Sequence, residues 1–486
     1  MNSSIIRYIL GNVMRMEACF LLLPCIVSLV YGEGVGLYYL GTAIVCLAFG
    51  VVMAWKKPKN YVFYLKEGCI ATSLSWIVMS LVGCMPFWIS GEIPSFTDAM
   101  FETVSGFTTT GASILTNVEA LSHTALFWRS FTHWIGGMGV LVFLLAIIPL
   151  SGGSNINLMR AESPGPSVGK LVPKMKYTAR ILYIIYFGMT ILEFIFLIIG
   201  KMPVFDSICT AVGTAGFGVK NDSLGSYSPY LQWVVAIFMI LFGVNFNAYY
   251  YIIYRHFKKA FKMEEVRCYF AIILIATAII FANILDRCVS IFDALTKSVF
   301  QVASLITSTG FSSTDFNLWP QICRTVLVLI MFIGACAGST GGGIKVSRVI
   351  VLFKTMIKEL HSYIHPKSIR KVNLDGKPVE HEIVRSINVY IVTFVIIFAS
   401  SVFMVAFDGK DLVTNFTAVL TTINNMGPGL AEVGPAGNFS NFSVFSKFVF
   451  MFDMLAGRLE LFPLLILFHP SAWKDLISKR AEARKF

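Results

Sequence analysis

The chain has 486 residues, of which 56% are hydrophobic and only 14% charged, and its mean hydropathy is +0.73. Water-soluble domains run near roughly 45–50% apolar and 25% charged, so a soluble enzyme and a disordered chain are excluded and an all-α integral membrane protein is expected. The net charge of +12 at pH 7 would suit a nucleic-acid binder only if the basic residues formed one patch, and they are spread over many loops.

A helix needs about 20 apolar residues to cross about 30 Å of hydrocarbon. Ten runs near that length follow one another at 5–31, 36–55, 68–90, 124–150, 178–200, 228–254, 266–285, 321–353, 386–407 and 441–469. The first leads into further spans without a small-residue cleavage site, so it is expected as a retained helix and not a signal peptide. Arg7 and Arg15 precede or open the first run, and Lys56, Lys57, Lys59 and Lys66 follow the second. Arg160, Lys170, Lys174, Lys176 and Arg180 follow the fourth, and Arg255, Lys258, Lys259, Lys262 and Arg267 the sixth. Lys345, Arg348, Lys354, Lys358, Lys367, Arg370, Lys371, Lys377 and Arg385 end or follow the eighth, and Lys474, Lys479, Arg480, Arg484 and Lys485 lie in the tail. These make 30 of the 39 basic residues, and the positive-inside rule puts both termini and these loops in the cytoplasm. Topology therefore accounts for the basic excess, and no nucleic-acid partner is expected. The 10 cysteines are scattered without a CxxC pair and read as small apolar residues, not as a disulfide framework or zinc site.

The connections on the opposite side repeat. Placed on their last glycine they read F101ETVSGFTTTG111, D206SICTAVGTAG216, F300QVASLITSTG310 and T417AVLTTINNMG427. Six residues before each glycine stands a hydroxyl, Ser105, Thr210, Ser304 or Thr421. Two residues before it stands a polar side chain, Thr109, Thr214, Ser308 or Asn425, and Asp98, Asp206, Asp293 and Asp411 lie upstream. The second copy is the shortest from aspartate to glycine, so its helix is expected to be short. This fourfold internal repeat divides the chain into two extra N-terminal helices (1–60) and four span, loop, span units at 61–155, 156–262, 263–370 and 371–486.

A segment of about ten residues cannot cross a bilayer, and irregular backbone at membrane depth is tolerated only where it lines a cavity or is buried in protein. Four such segments are satisfied together if they converge on one axis. Each then forms a short re-entrant helix and a return turn, with glycine admitting backbone angles barred to other residues. A ring of carbonyls so formed replaces the water shell of a dehydrated cation. The expected filter residues are Thr109, Thr110 and Gly111; Thr214, Ala215 and Gly216; Ser308, Thr309 and Gly310; and Asn425, Met426 and Gly427.

CAGSTGGGIK (336–345) resembles a phosphate-binding loop, but Ile344 separates Gly343 from Lys345 and the flanks are membrane helix, so no nucleotide is expected there. Gly338, Gly341, Gly342 and Gly343 instead break the eighth span in mid-membrane, under the expected filter. Arg458 lies inside an apolar run, where an unpaired charge costs at least about 2.5–3.5 kcal/mol. It reads either as a barrier to cations or as the partner of Asp453 or Glu460. Glu102 reads as a structural hydrogen-bonding group, and His123, His133 and His469 as interfacial or hydrogen-bonded. No Ser/His/Asp or metal-ligand constellation recurs in the polar parts, so no enzyme and no covalent cofactor is expected.

The fourfold pattern, with TTTGAS (108–113), TSTGF (307–311), NNMGPGL (424–430), CAGSTGGGIK and GRLELFPL (457–464), resembles the bacterial Trk/Ktr superfamily of potassium uptake subunits. The two extra N-terminal spans make it most similar to the TrkH branch. The resemblance implies a channel-like K⁺ permease of the bacterial inner membrane, with 336–345 an intramembrane gate loop, Lys345 among its charged elements and Arg458 narrowing the pore. It also implies a homodimer on a cytosolic, nucleotide-binding regulatory subunit of the TrkA/KtrA kind, with nucleotide bound only there. The basic loops 255–267 and 354–385 are the candidate docking surface, and lipid headgroups are the other partner of such loops. The alternative is an ion-coupled secondary transporter of a small solute, although those folds repeat whole bundles in opposite orientation.

Overall fold

The structure, a computed structural model, describes residues 2–58, 64–139, 175–213, 216–368 and 370–473. It begins with Ser3–Phe20 (α1), Leu22–Tyr31 (α2) and Gly36–Ala54 (α3). Glycines let α1 and α3 approach closely: a Cβ at Gly11 would lie 2.7 Å from the Ala54 nitrogen, and one at Gly50 would lie 2.9 Å from the Gly11 oxygen. Small residues are what allow helix backbones to pack at such range where lipid removes the hydrophobic drive.

A long helix, a short helix, an extended stretch and a further helix then recur four times. The first set is Leu65–Ile89 (α4), Phe96–Phe107 (α5) and His123–Met138 (α6). The second is Met175–Ile199 (α7), Val204–Val212 (α8), Pro229–Phe242 (α9) and Phe246–Ile253 (α10), after which Phe257–Lys262 (α11) leads on. The third is Glu264–Ile284 (α12), Ile291–Ile306 (α13), Gln321–Phe332 (α14) and Val346–Ile364 (α15). The last is His381–Val405 (α16), Leu412–Ile423 (α17), Val444–Arg458 (α18) and Phe462–Phe468 (α19). A small hairpin pairs Asn373–Leu374 with Lys377–Pro378 ahead of α16.

Packing closes these sets into a ring. The helix that follows each extended stretch lies against the short helix of the next set: α6 on α8, α9 on α13, α14 on α17, and α18 back on α5. Among the described residues six helices are long and apolar enough to cross a membrane, and α9 with α10 would be a seventh. The chain is therefore membrane-embedded.

Two expected spans are not continuous. The 228–254 run bends by 92° between α9 and α10. Gly243 lies where a Cβ would be 2.4 Å from the Tyr269 hydroxyl, and Asn245 caps a new helix by accepting from the Asn247 amide at 2.9 Å. The 441–469 run breaks after α18, where Glu460 (φ 54°) and Leu461 (φ 69°) are left-handed and the Phe462 amide donates to the Glu460 carbonyl at 2.9 Å, a γ-turn. Pro463, without an N–H, opens α19. The 124–150 run is helical to Met138, and residues 140–150 lie outside the described residues.

Close approach within a set, between the short helix and the helix that follows it, rests on single glycines. A Cβ at Gly136 would sit 1.9 Å from the Phe107 carbonyl oxygen, and one at Gly457 2.0 Å from that of Ile423. At Gly188 an added methyl meets nothing within 4 Å. Gly136→Ala is expected to lower stability by about 1–3 kcal/mol, the usual cost of overpacking. Gly188→Ala should be neutral or stabilising by up to about 1 kcal/mol, because alanine favours the helix. Thermal unfolding of both in detergent measures the contrast, and equal shifts would refute the close-approach account.

Candidate functional site

Three of the four short helices are capped alike at their starts, whereas α8 follows Pro203 without a side-chain cap. Ser95 Oγ accepts from the Asp98 amide at 3.3 Å and Ser290 Oγ from the Asp293 amide at 3.1 Å, while Asp411 accepts from the Thr414 amide at 3.1 Å. Asp98, Asp206 and Asp293 lie in first turns, where a carboxylate complements the positive end of the helix dipole. The side-chain hydrogen bond from Thr414 holds the Asp411 carboxyl below the usual aspartate range.

Their ends explain the polar residue two before each glycine. The Thr109, Ser308 and Asn425 amides donate to the carbonyls of Gly106, Leu305 and Thr422 at 3.0, 3.1 and 3.3 Å. The next amides, of Thr110, Thr309 and Met426, donate to Ser105, Ser304 and Thr421, each at 2.9 Å. This is a Schellman cap, whose pivotal residue is left-handed. That residue is not glycine here: Thr109, Ser308 and Asn425 have φ of 56°, 52° and 55°. The sequence-based expectation gave the special backbone angles to glycine alone, whereas two positions per turn carry them. Thr214 and Ala215 lie outside the described residues.

Gly111, Gly216, Gly310 and Gly427 follow with φ of 79°, 96°, 87° and 87°. Each of the last three faces a carbonyl of the next turn around the ring. A Cβ at Gly216 would lie 2.4 Å from the Thr309 oxygen, at Gly310 2.5 Å from the Met426 oxygen, and at Gly427 2.9 Å from the Thr110 oxygen. The structure thus brings Thr110, Gly111, Gly216, Thr309, Gly310, Met426 and Gly427 together, and all four glycines line one cavity of about 170 Å³. Asn425 Nδ2 ties two turns by donating to Thr110 Oγ1 at 3.0 Å and to the Met454 carbonyl at 2.9 Å. Among the described residues no group of three or more His, Cys, Asp or Glu side chains could hold a metal ion.

Residues 333–345, between α14 and α15, pack directly against these turns. The Gly342 amide donates to Ser308 Oγ, and a Cβ at Gly342 would lie 2.7 Å from the Asn424 oxygen. Gly338 and Gly343 are left-handed, with φ of 66° and 71°, whereas Gly341 and Gly342 serve close approach: a Cβ at Gly341 would lie 2.9 Å from the Thr307 oxygen. Lys345 Nζ donates to the carbonyls of Gly341 and Gly342. Arg458 donates to the Thr340 carbonyl at 3.1 Å, to Gly137 at 2.9 Å and to Gly136, so it joins the loop to the end of α6. Of its two expected acidic partners, Glu460 pairs with Arg348, and Asp453 accepts from Ser401 Oγ at 2.8 Å.

The sequence reading missed Glu265. Its carboxylate accepts from the Ala337 amide at 2.6 Å, the Ser347 amide at 3.2 Å and Asn245 Nδ2 at 3.1 Å, which fixes both ends of the loop and the bend after α9. The available signal was an acid at the start of an apolar run, costly unless its oxygens are used. Glu102 was read correctly as structural: it accepts from Ser113 Oγ, the Ile114 amide and Arg129 Nε.

A membrane-embedded chain whose four glycine turns line one cavity belongs to the class of cation transport proteins. The chain is a member of the TrkH family, described as cation transport protein, whose model matches residues 39–475. It is 34% identical to the Trk system potassium uptake protein TrkH of Salmonella typhimurium over 97% of this chain and 99% of that protein. The same figures hold for the protein of that name from Escherichia coli K12. The crystal structure of the potassium transporter TrkH from Vibrio parahaemolyticus superposes with a TM-score of 0.87, at 30% identity, over 97% of this chain and 100% of that one.

Asn425 is fully buried. Asn425→Ala removes both of its side-chain bonds and puts a less tolerant residue in the left-handed region, so a loss of at least about 2 kcal/mol is expected. Asn425→Gly keeps the backbone angle and should recover part of it. The two thermal midpoints measure this, and a glycine variant no better than alanine would locate the whole effect in the side-chain bonds.

Proposed function

We propose that this protein takes up potassium ions across the bacterial inner membrane through a pore whose filter is the ring of glycine turns. The observation that carries the reading is the apposition of the second, third and fourth glycine turns with a carbonyl of the next turn around the pore. A dehydrated K⁺ at the centre exchanges its water shell for these oxygens. The short helices point their C-terminal, partially negative ends toward the same point, which favours a cation there. The membrane potential supplies the drive, about 2.3 kcal/mol per charge for each 100 mV. Transport and not catalysis is the role, and the four sets of helices act as the quarters of one pore.

The loop 336–345 is the proposed gate. Its carbonyls lie beneath the filter and would coordinate an ion, but Lys345 and Arg458 already donate to those of Gly341, Gly342 and Thr340. The same two cations oppose entry, since at an effective dielectric near 20 a unit charge about 4 Å away costs an ion about 4 kcal/mol. A homodimer on a cytosolic nucleotide-binding subunit fits the phrase "Trk system" in the relatives' names. The exposed basic stretches 255–267 and 354–385 are the surface proposed to meet that subunit.

Expression in a bacterium lacking potassium uptake tests the reading: growth at low external K⁺ is expected, with Rb⁺ uptake. Gly111→Ser and Gly310→Ser should each weaken the preference for K⁺ over Na⁺, because a side chain resists the left-handed backbone and at Gly310 also meets the Met426 carbonyl of the neighbouring turn. Unchanged preference in both, at normal expression, removes the filter assignment.

Arg458 separates barrier from brace. Arg458→Ala should raise Rb⁺ uptake per folded molecule several-fold with little change in apparent affinity, and Arg458→Lys should stay nearer wild type because a cation remains. Uptake falling together with thermal stability in the alanine variant would make the residue a brace only.

A further inference from the structure

In three of the four turns the short helix supplies its own side chain to hold the strand that leaves the filter. Nine residues before the glycine, Glu102 accepts from Ser113 Oγ at 2.9 Å and the Ile114 amide at 3.0 Å, and Gln301 reaches Ser313 Oγ at 3.4 Å. Ser304 Oγ also donates to the Phe311 carbonyl at 2.6 Å. In the last turn Thr417 Oγ1 accepts from the Leu430 amide at 3.0 Å.

The second turn departs from this. Its helix, α8, has 9 residues against 12, 16 and 12 in α5, α13 and α17. The matching residue, Ser207, donates backward to the Met202 carbonyl at 3.3 Å. The strand leaving Gly216 is held from the neighbouring α6 instead. Arg129 Nη1 donates to the Gly218 carbonyl at 2.9 Å, and its guanidinium carbon lies 3.6 Å from the centre of the Phe217 ring. His133, one helical turn along α6, stacks on the same ring with centroids 4.1 Å apart and planes 21° apart. Arg129 Nε is paired at 2.6 Å with Glu102, the residue that holds the first strand, and the two side chains are 4% and 0% exposed.

We infer that Arg129, anchored on Glu102, is a positioning residue for the second quarter of the filter and so sets cation selectivity there. The guanidinium fork suits this because it can face a carboxylate and a carbonyl at once and stack on an aromatic ring, which a lysine ammonium cannot do together. The pair also links the strands leaving the first and second turns, so the position of one depends on the other. The inference rests on the filter reading above.

The test is the preference for Rb⁺ over Na⁺, measured by Na⁺ competition of Rb⁺ uptake in the full-length protein, beside thermal stability. Arg129→Lys keeps a charge for Glu102 but not the bridge. The preference is expected to fall at least about tenfold, the size set by one lost charge-assisted hydrogen bond, in protein that still folds. Unchanged preference in folded Arg129→Lys overturns the inference. If that variant does not fold, the neutral double variant Glu102→Gln with Arg129→Gln leaves no unpaired buried charge and is judged by the same tenfold fall. Failure of both to fold makes the pair a folding element and also overturns it. Gly310→Ser, on the opposite flank, is the control. Where it shifts the preference and the Arg129 variants do not, the filter reading stands and the clamp falls; where it shifts nothing, the filter reading itself fails.

Discussion

A peptide carbonyl inside a membrane must find a hydrogen-bond donor or a cation, because no water stands ready to solvate it. Helices meet that demand internally, and the six long apolar helices need no further account. The four turns do not, and everything around them serves to make unpaired carbonyls tolerable. In the first, third and fourth, Schellman caps satisfy the last helical carbonyls and left-handed residues turn the chain, and at Gly216, Gly310 and Gly427 the missing side chain lets the turn lie against an oxygen of its neighbour. What results is four glycine turns lining one small cavity, the arrangement on which the proposed cation site rests.

The same demand governs the loop beneath. Its backbone is irregular at membrane depth, and its carbonyls are met by Lys345 and Arg458 while its amides go to Glu265 and Ser308. Three buried or half-buried charged groups therefore hydrogen-bond to the backbone of the loop. This is the physical basis for proposing a gate: carbonyls held by side-chain cations can be released by moving those cations, at no loss of a helix. The direct bond between Gly342 and Ser308 means that such movement is felt at the third turn.

Helix breaks show how far local sequence reaches. The break at Gly338–Gly343 was legible because four glycines in one apolar run have no cheaper reading. The 92° bend at Gly243–Asn245 was not, since one glycine and one asparagine within an apolar run are common in continuous helices. It exists because Tyr269 and Cys336 of other elements take the space and the carbonyl at Gly243. The break at Leu459–Leu461 is of the same kind, held by the pairing of Glu460 with Arg348.

Sequence alone determined the membrane character, the fourfold recurrence and the positions of the four glycines that line one cavity, because composition and a repeated offset are local quantities that need no partner. It also marked Arg458, since a charge in an apolar run is costly wherever it points, while Lys345 was marked by the family resemblance of the glycine-rich loop. Only the tertiary structure decided what each charge touches: Arg458 reaches backbone of α6 and the loop, and Arg129 crosses from Glu102 to Gly218. The cyclic order in which α6, α9, α14 and α18 each meet the next short helix was likewise its decision. The physical reason is that pairings between segments far apart in the chain are settled by which surfaces fit, and no local pattern records the shape of the surface on the other side.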